Sequence, residues 1–148
     1  IANCYVDNPI HPCLDLTIDE KIDGRMLDGL CEILFILLQN VIRHSGFGEN
    51  EAEVTILSRR EGDALILKCV SKLAEDVSIN ERRNNAVEAA KWYERDSALR
   101  MARREGGSGL SKVWRIAEFD LRVHHTLELS VTDNHEFVVK LSLAGVWV

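Results

Sequence analysis

The chain has 148 residues, 46% of them hydrophobic, and a formal net charge of −6. That size and apolar content fit one compact domain with a real core and exclude a disordered chain. The acidic balance argues against a dedicated nucleic-acid binder, which needs a basic surface, and the longest purely apolar run, Ile33 to Leu38, is far too short to span a bilayer.

The chain opens on Ile1 rather than Met and carries no signal-peptide pattern. We read residues 1–148 as a single domain, the C-terminal part of a longer protein. Of the four cysteines, Cys4, Cys13, Cys31 and Cys69, no two are spaced as a zinc site requires. Cys31 and Cys69 sit in apolar runs and read as small core residues. A reduced, cytoplasmic setting is the default.

In chain order, Leu14 to Ile18 alternates apolar and polar residues and predicts a short strand. Asp19 and Asp23 offer helix starts. A helix is predicted over Met26–His44, with Leu27, Leu30, Leu34, Leu37 and Val41 at steps of three and four. Ile33, Phe35, Ile36 and Leu38 widen its apolar surface nearly all the way round, which predicts a central, buried helix. Gly46 is a natural terminator. Two strands are predicted over Glu53–Ser58 and Ala64–Val70, with Arg59–Asp63 as their turn. Lys72–Asn80 reads as irregular and Asn84–Arg104 as helical. A helix over Leu110–Phe119 and a hairpin of Leu121–Val131 with Phe137–Val146, turning at Thr132–His135, complete the chain. Paired strands without strict alternation of strand and helix predict an α+β fold. It would be a two-layer sandwich: a mixed, mostly antiparallel sheet with helices on one face.

Just before the Leu110 helix lies Glu105-Gly-Gly-Ser-Gly-Leu-Ser-Lys112, which holds three of the nine glycines. A glycine loop that opens a helix aims unpaired N–H groups at one point, which suits a phosphate; it is equally the composition of a mobile connector. Ser108 could cap the new helix. Upstream, residues 82–104 carry seven basic side chains against three acids. They form either a solvated face or an aid to phosphate binding. His124 and His125 fall in a strand and face opposite sides, one exposed and one partly buried. Trp92, Trp114 and Trp147 read as core or edge packing, although Trp92-Tyr93 could mark an interface.

Two segments together resemble a family. Leu37-Leu-Gln-Asn-Val-Ile-Arg-His-Ser45 and Glu105-Gly-Gly-Ser-Gly-Leu-Ser-Lys-Val-Trp-Arg-Ile116 resemble the N box and second glycine box of the GHKL superfamily, the Bergerat-fold ATPases and histidine kinases. The resemblance runs from about Leu14 to Val146. It implies an ATP-binding domain in which the Asn40 amide oxygen ligates Mg²⁺ and the backbone of Gly106, Gly107, Ser108, Gly109 and Leu110 cradles phosphates. Arg43, about one turn beyond Asn40, and His44 beside it would line the same pocket. Residues 72–105 would form its lid.

Two departures stand out. The first glycine box should follow Ala64–Val70, but Val70-Ser-Lys-Leu-Ala-Glu-Asp-Val-Ser78 contains no glycine and no aspartate in the expected frame. Losing the carboxylate that reads the adenine amino group costs roughly 10- to 150-fold in affinity. Ser71 is the nearest substitute. The glutamate that activates water in hydrolysing members falls on Ile36, and Glu32 lies two turns from Asn40, so no catalytic residue is assigned and hydrolysis should be slow or absent. The expected function is nucleotide–Mg²⁺ binding inside a larger regulatory or sensory protein, with other domains of that protein or a partner chain alongside. One alternative is a nucleotide-free interaction or dimerisation module. Another is a kinase acting on a partner protein.

Overall fold

The computed structural model describes residues 10–16, 21–44, 52–101 and 109–148. The strands are β1 (Ile10–Leu16), β2 (Ala52–Glu61), β3 (Ala64–Lys72), β4 (His124–Val131) and β5 (Glu136–Ala144). The helices are α1 (Leu27–His44), α2 (Ile79–Ala90), α3 (Arg95–Met101) and α4 (Gly109–Arg115), the last running into a π-helical segment at Ile116–Leu121. The sheet order is β1-β2-β3-β5-β4; β1 pairs parallel to β2, and every other pairing is antiparallel. The expected α+β class with a mixed, mostly antiparallel sheet is the one observed.

Register sorts the strand residues by face. Val54, Ile56, Leu65, Leu67, Cys69, Val139, Leu141 and Leu143 share one core cluster with Leu30, Ile33, Leu37 and Val41 of α1 and with Leu110 and Val113 of α4. Alternate residues such as Thr55, Lys68 and Lys140 face away from the helices, as the two-residue period requires. Pro12 sits in edge strand β1, where a missing N–H costs least.

Several boundaries differ from the sequence expectation. The β2–β3 turn is only Gly62-Asp63, because Gly62 at φ +61° provides the positive φ that a two-residue hairpin turn needs at its first position. The helix expected at Asn84 begins at Ile79. Ser78 caps it by accepting from the Glu81 N–H at 3.3 Å, half of a Ser-x-x-Glu capping box. The same stretch is two helices, not one. The chain leaves α2 through 92–93, where Ser111 Oγ donates to the Trp92 carbonyl at 2.9 Å and Tyr93 Oη lies 2.7 Å from His125 Nδ1. Those tertiary bonds override a continuous helical composition. Leu121, expected to open a strand, closes the π segment; Arg122 at φ 55° turns the chain and β4 starts at His124. Asp23 does cap a start, but of a short 3-10 turn at Gly24–Met26. Asp19 and Gly46 lie outside the described residues.

Helix α1 is not buried all round. Ile33 and Leu37 are fully enclosed, whereas Leu27 is 60% exposed and Cys31 is exposed. The expectation of Cys31 as a core residue is therefore corrected: it lies on the outer side of the helix. Cys69 is the core cysteine, and burial pushes its thiol up to about 11. At pH 8 an alkylating reagent should modify Cys31 within minutes and leave Cys69 unmodified until the protein is denatured. Peptide mapping checks this, and equal labelling of the two in the native protein would contradict it.

Candidate functional site

The termini of the elements fix where α1 points. The Asp23 N–H donates to the Val146 carbonyl at 2.9 Å, and Ile22 bridges to Trp147, so α1 begins where β5 ends. Near its start, Gly29 packs under Leu121 and Ile116; a Cβ there would stand 2.5 Å from Leu121 Cδ2. Near its finish, Ile36 and Asn40 lie against Gly109. Helix α4 and its π extension therefore run antiparallel to α1, and Arg122 turns the chain into β4 beside the end of β5. Asn40 and Gly109 thus lie at the end of the sheet where β3 finishes and β5 begins, with Lys72 paired to Glu136.

At that end the two sequence segments meet. A Cβ added to Gly109 would stand 2.7 Å from Ile36 Cγ2, 3.0 Å from Asn40 Nδ2 and 3.1 Å from Asn40 Oδ1. Only a glycine lets the first turn of α4 approach the Asn40 amide this closely. Asn40 is half-buried, Gly109 is half-buried and Leu110 is buried in the core. Arg43 and His44 occupy the last turn of α1, and their side chains lie outside the described residues, as do Gly106, Gly107 and Ser108 entirely. Ile36, one turn before Asn40, is 7% exposed and wholly apolar, while Glu32 is exposed. No proton acceptor stands in the Ile36 position.

The segment Val70–Ser78, where the resemblance places the first glycine box, carries no glycine. Ser71 sits on the core face of β3 and is 1% exposed, and its Oγ has no hydrogen-bond partner among the described residues. Glu75 and Asp76, the acids nearest the missing glycine box, are exposed in the loop before α2. Ser71 is therefore the only member of Val70–Ser78 that presents a buried polar group with unmet bonding capacity among the described residues.

A second polar cluster lies toward the other end of the sheet, where His125 of β4 pairs with Leu143. His125 is enclosed, its side chain 6% exposed, with Tyr93 Oη on Nδ1 at 2.7 Å and Glu118 Oε2 on Nε2 at 3.1 Å. His124 is exposed. The expected split between the two histidines is the one observed. Burial, and then the nearby Glu118 carboxylate, hold the Tyr93 phenol well above its ordinary range, so it stays a neutral hydroxyl. Trp114 packs edge-on against His125 and Phe119. Trp147 donates from its indole N–H to the Asp63 carbonyl at 2.9 Å and lies under the Arg60 guanidinium. Trp92 is 41% exposed, in the break between α2 and α3 rather than on a helix. Nothing in the sequence pattern pairs Tyr93 with His125 and Glu118; their separation along the chain hides the contact.

The family described as "y4jQ C-terminal putative histidine kinase domain" matches residues 4–144. The chain belongs to this family. Its fold is also that of solved histidine kinase domains. The catalytic domain of histidine kinase ThkA, in a nucleotide-free form, superposes with a TM-score of 0.59 at 15% identity, covering 91% of this chain and 78% of that one. The mycobacterial sensor histidine kinase MprB gives 0.55 at 12% identity, with 94% and 84% covered. Acinetobacter baumannii histidine kinase AdeS gives 0.54 at 18% identity, with 91% of this chain and 54% of that chain covered. This histidine kinase-like domain therefore spans about half the length of the AdeS chain. Comparison with curated proteins returns no match. Among the described residues, no helix is long and apolar enough to cross a membrane.

Proposed function

We propose that this histidine kinase-type domain binds ATP with Mg²⁺, as the C-terminal nucleotide-binding unit of a larger cytoplasmic regulatory or sensory protein. The observation that carries the reading is the contact of Gly109 with the Asn40 amide, a place that any Cβ would fill. An amide oxygen beside the first N–H groups of a helix offers one hard oxygen ligand next to anion-binding donors, which suits a metal–phosphate pair. Asn40 would hold the metal, and the backbone from Gly106 through Ser108 to Gly109 and Leu110 would hold the phosphates. Arg43 would add charge at the mouth, and His44 would line it. When bound, the nucleotide supplies a transferable phosphoryl group. The chain's own part is to orient it and to withhold a base from water, since the apolar Ile36 stands where one would be needed. Hydrolysis is accordingly slow or absent.

Residues 72–105 form the cover in this reading. Within them α2 is tethered to the β4–β5 end by Arg83, which donates to the Val131 carbonyl at 3.1 Å and to Asp133 Oδ1 at 2.6 Å. Movement of the cover would then start beyond that anchor. A second reading, a protein-interaction module, is favoured by the exposed Trp92, Leu99 and Val87, at 41%, 48% and 62%. A protein kinase acting on a partner is the third, and it follows from the family rather than from any side chain.

Thermal denaturation with and without nucleotide separates these readings. Millimolar ATP with Mg²⁺ should raise the melting temperature, ATP with EDTA should not, and Asn40→Ala should lose the Mg²⁺-dependent part, a drop of roughly 10- to 150-fold in affinity for one charge-assisted contact. An identical rise in wild type and Asn40→Ala would refute the assignment of Asn40.

A further inference from the structure

Helix α1 meets a different neighbour on each side. Leu30, Ile33, Leu37 and Val41 enter the core beneath it, and α4 with its π extension packs along the side that carries Gly29, Ile36 and Asn40. The side opposite α4 carries Leu27, Cys31, Leu34 and Leu38, at steps of four, three and four. That spacing is the seam of a coiled coil, running over about 16 Å of helix. Leu27 is 60% exposed, Cys31 is exposed, and Leu34 and Leu38 are half-buried against the core cluster.

An open seam on a helix already packed on two sides fits one more helix, whose ridges enter the grooves between these side chains. A strand repeats its side chains every two residues and does not match the spacing. The charges select among helices. Between Leu27 and Ile42 the only charged residues are Asp28, which borders the seam, and Glu32, one turn on. Both are exposed, and neither has an ion pair among the described residues. Residues 1–44 as a whole carry seven acids against three basic side chains. A second copy of the chain would press two acidic faces together, and an anionic lipid surface would be repelled in the same way. A helix with an apolar stripe and basic residues beside it meets both the seam and the carboxylates.

We propose that this side of α1 is a docking surface for an amphipathic helix of a partner protein, apolar along its stripe and basic on its flanks. Asn40 and Gly109 lie on the α4 side of the same helix, so the docked partner leaves their contact uncovered. The surface is also distinct from the exposed Trp92, Leu99 and Val87, none of which belongs to α1.

Cys31 lies inside the seam and reports its occupancy through the rate of its alkylation in the full 148-residue chain. The probe is a peptide of about three heptads with leucine at the two seam positions and lysine at the flanking ones, compared with the same peptide carrying glutamate there. The lysine peptide should protect Cys31 with a dissociation constant at least about tenfold lower than that of the glutamate peptide. Leu27→Asp, at an exposed position, should abolish the protection, and Asp28→Lys combined with Glu32→Lys should reverse the preference between the peptides. Unselective apolar contact would give no such reversal. The proposal is overturned if neither peptide protects Cys31, if protection by the lysine peptide survives Leu27→Asp, or if the double charge variant keeps the original preference. Protection in the free protein that fades on dilution would assign the face to a second copy. Protection by phosphatidylserine vesicles with no response to peptide would assign it to a membrane, and either result also overturns the proposal.

Discussion

Gly109→Ala should lower the melting temperature by about 2–8 °C and, with it, weaken Mg²⁺-dependent nucleotide binding. The added methyl would meet Ile36 Cγ2 at 2.7 Å and both Asn40 amide atoms near 3 Å. Ile36 is a β-branched residue inside a helix, with little freedom at χ1, and it is 7% exposed, so it cannot swing aside. The Asn40 amide can turn, but turning moves the ligand group of the proposed metal site. Overpacking of this kind costs about 1–3 kcal/mol, offset in part by up to about 1 kcal/mol of helix propensity gained over glycine. For a domain of this size each kcal/mol is worth about 2–4 °C. Gly24→Ala is the control, since nothing stands within 4 Å of its added methyl. Equal melting temperatures for Gly109→Ala and Gly24→Ala would show that the close approach carries no weight.

Ile33→Ala should cost about 2–5 kcal/mol. Ile33 has no exposed surface. It lies between Gly29, which packs under the π segment, and Leu37, which is enclosed in the core shared with the sheet. Truncation would leave a cavity where α1, α4 and the sheet converge, and a surround held by Leu141, Val113 and Ile116, all fully buried, has little room to relax. Set against a typical total of about 5–15 kcal/mol, the variant approaches the limit of folding. Urea denaturation reads it as a lower midpoint at unchanged slope. Leu27→Ala on the same helix, 60% exposed, should stay within about 0.5 kcal/mol. A loss of similar size at both positions would contradict the sidedness of α1.

Local pattern made much of this protein legible. The period of α1, the β2–β3 and β4–β5 hairpins and the turn at Thr132–His135 are short-range signals, and they survive in the structure. The Ser78–Glu81 capping box was equally local and predicts the true start of α2; the alanines further along drew the helix start away from it. The break at 92–93 was not legible, because its cause is bonding to Ser111 and His125, remote in sequence. The sidedness of α1 was hidden for the same reason. An all-round apolar helix shows its outer face only once its neighbours are placed, which is how Cys31 came to lie outside and Cys69 inside.

The sequence by itself determined the α+β class and most of the elements, which follow from periodicity, turn residues and composition acting over a few residues. The weight given to the segments at Asn40 and Gly109 came from their joint resemblance to the GHKL superfamily. Only the tertiary structure decided that Gly109 approaches the Asn40 amide, that the Ser71 hydroxyl is buried without a partner among the described residues, and that α2 walls a cleft with Leu73 and Phe137. Contacts between residues far apart in the chain depend on strand order and helix direction. These are set by burying one shared core, and no local pattern encodes them.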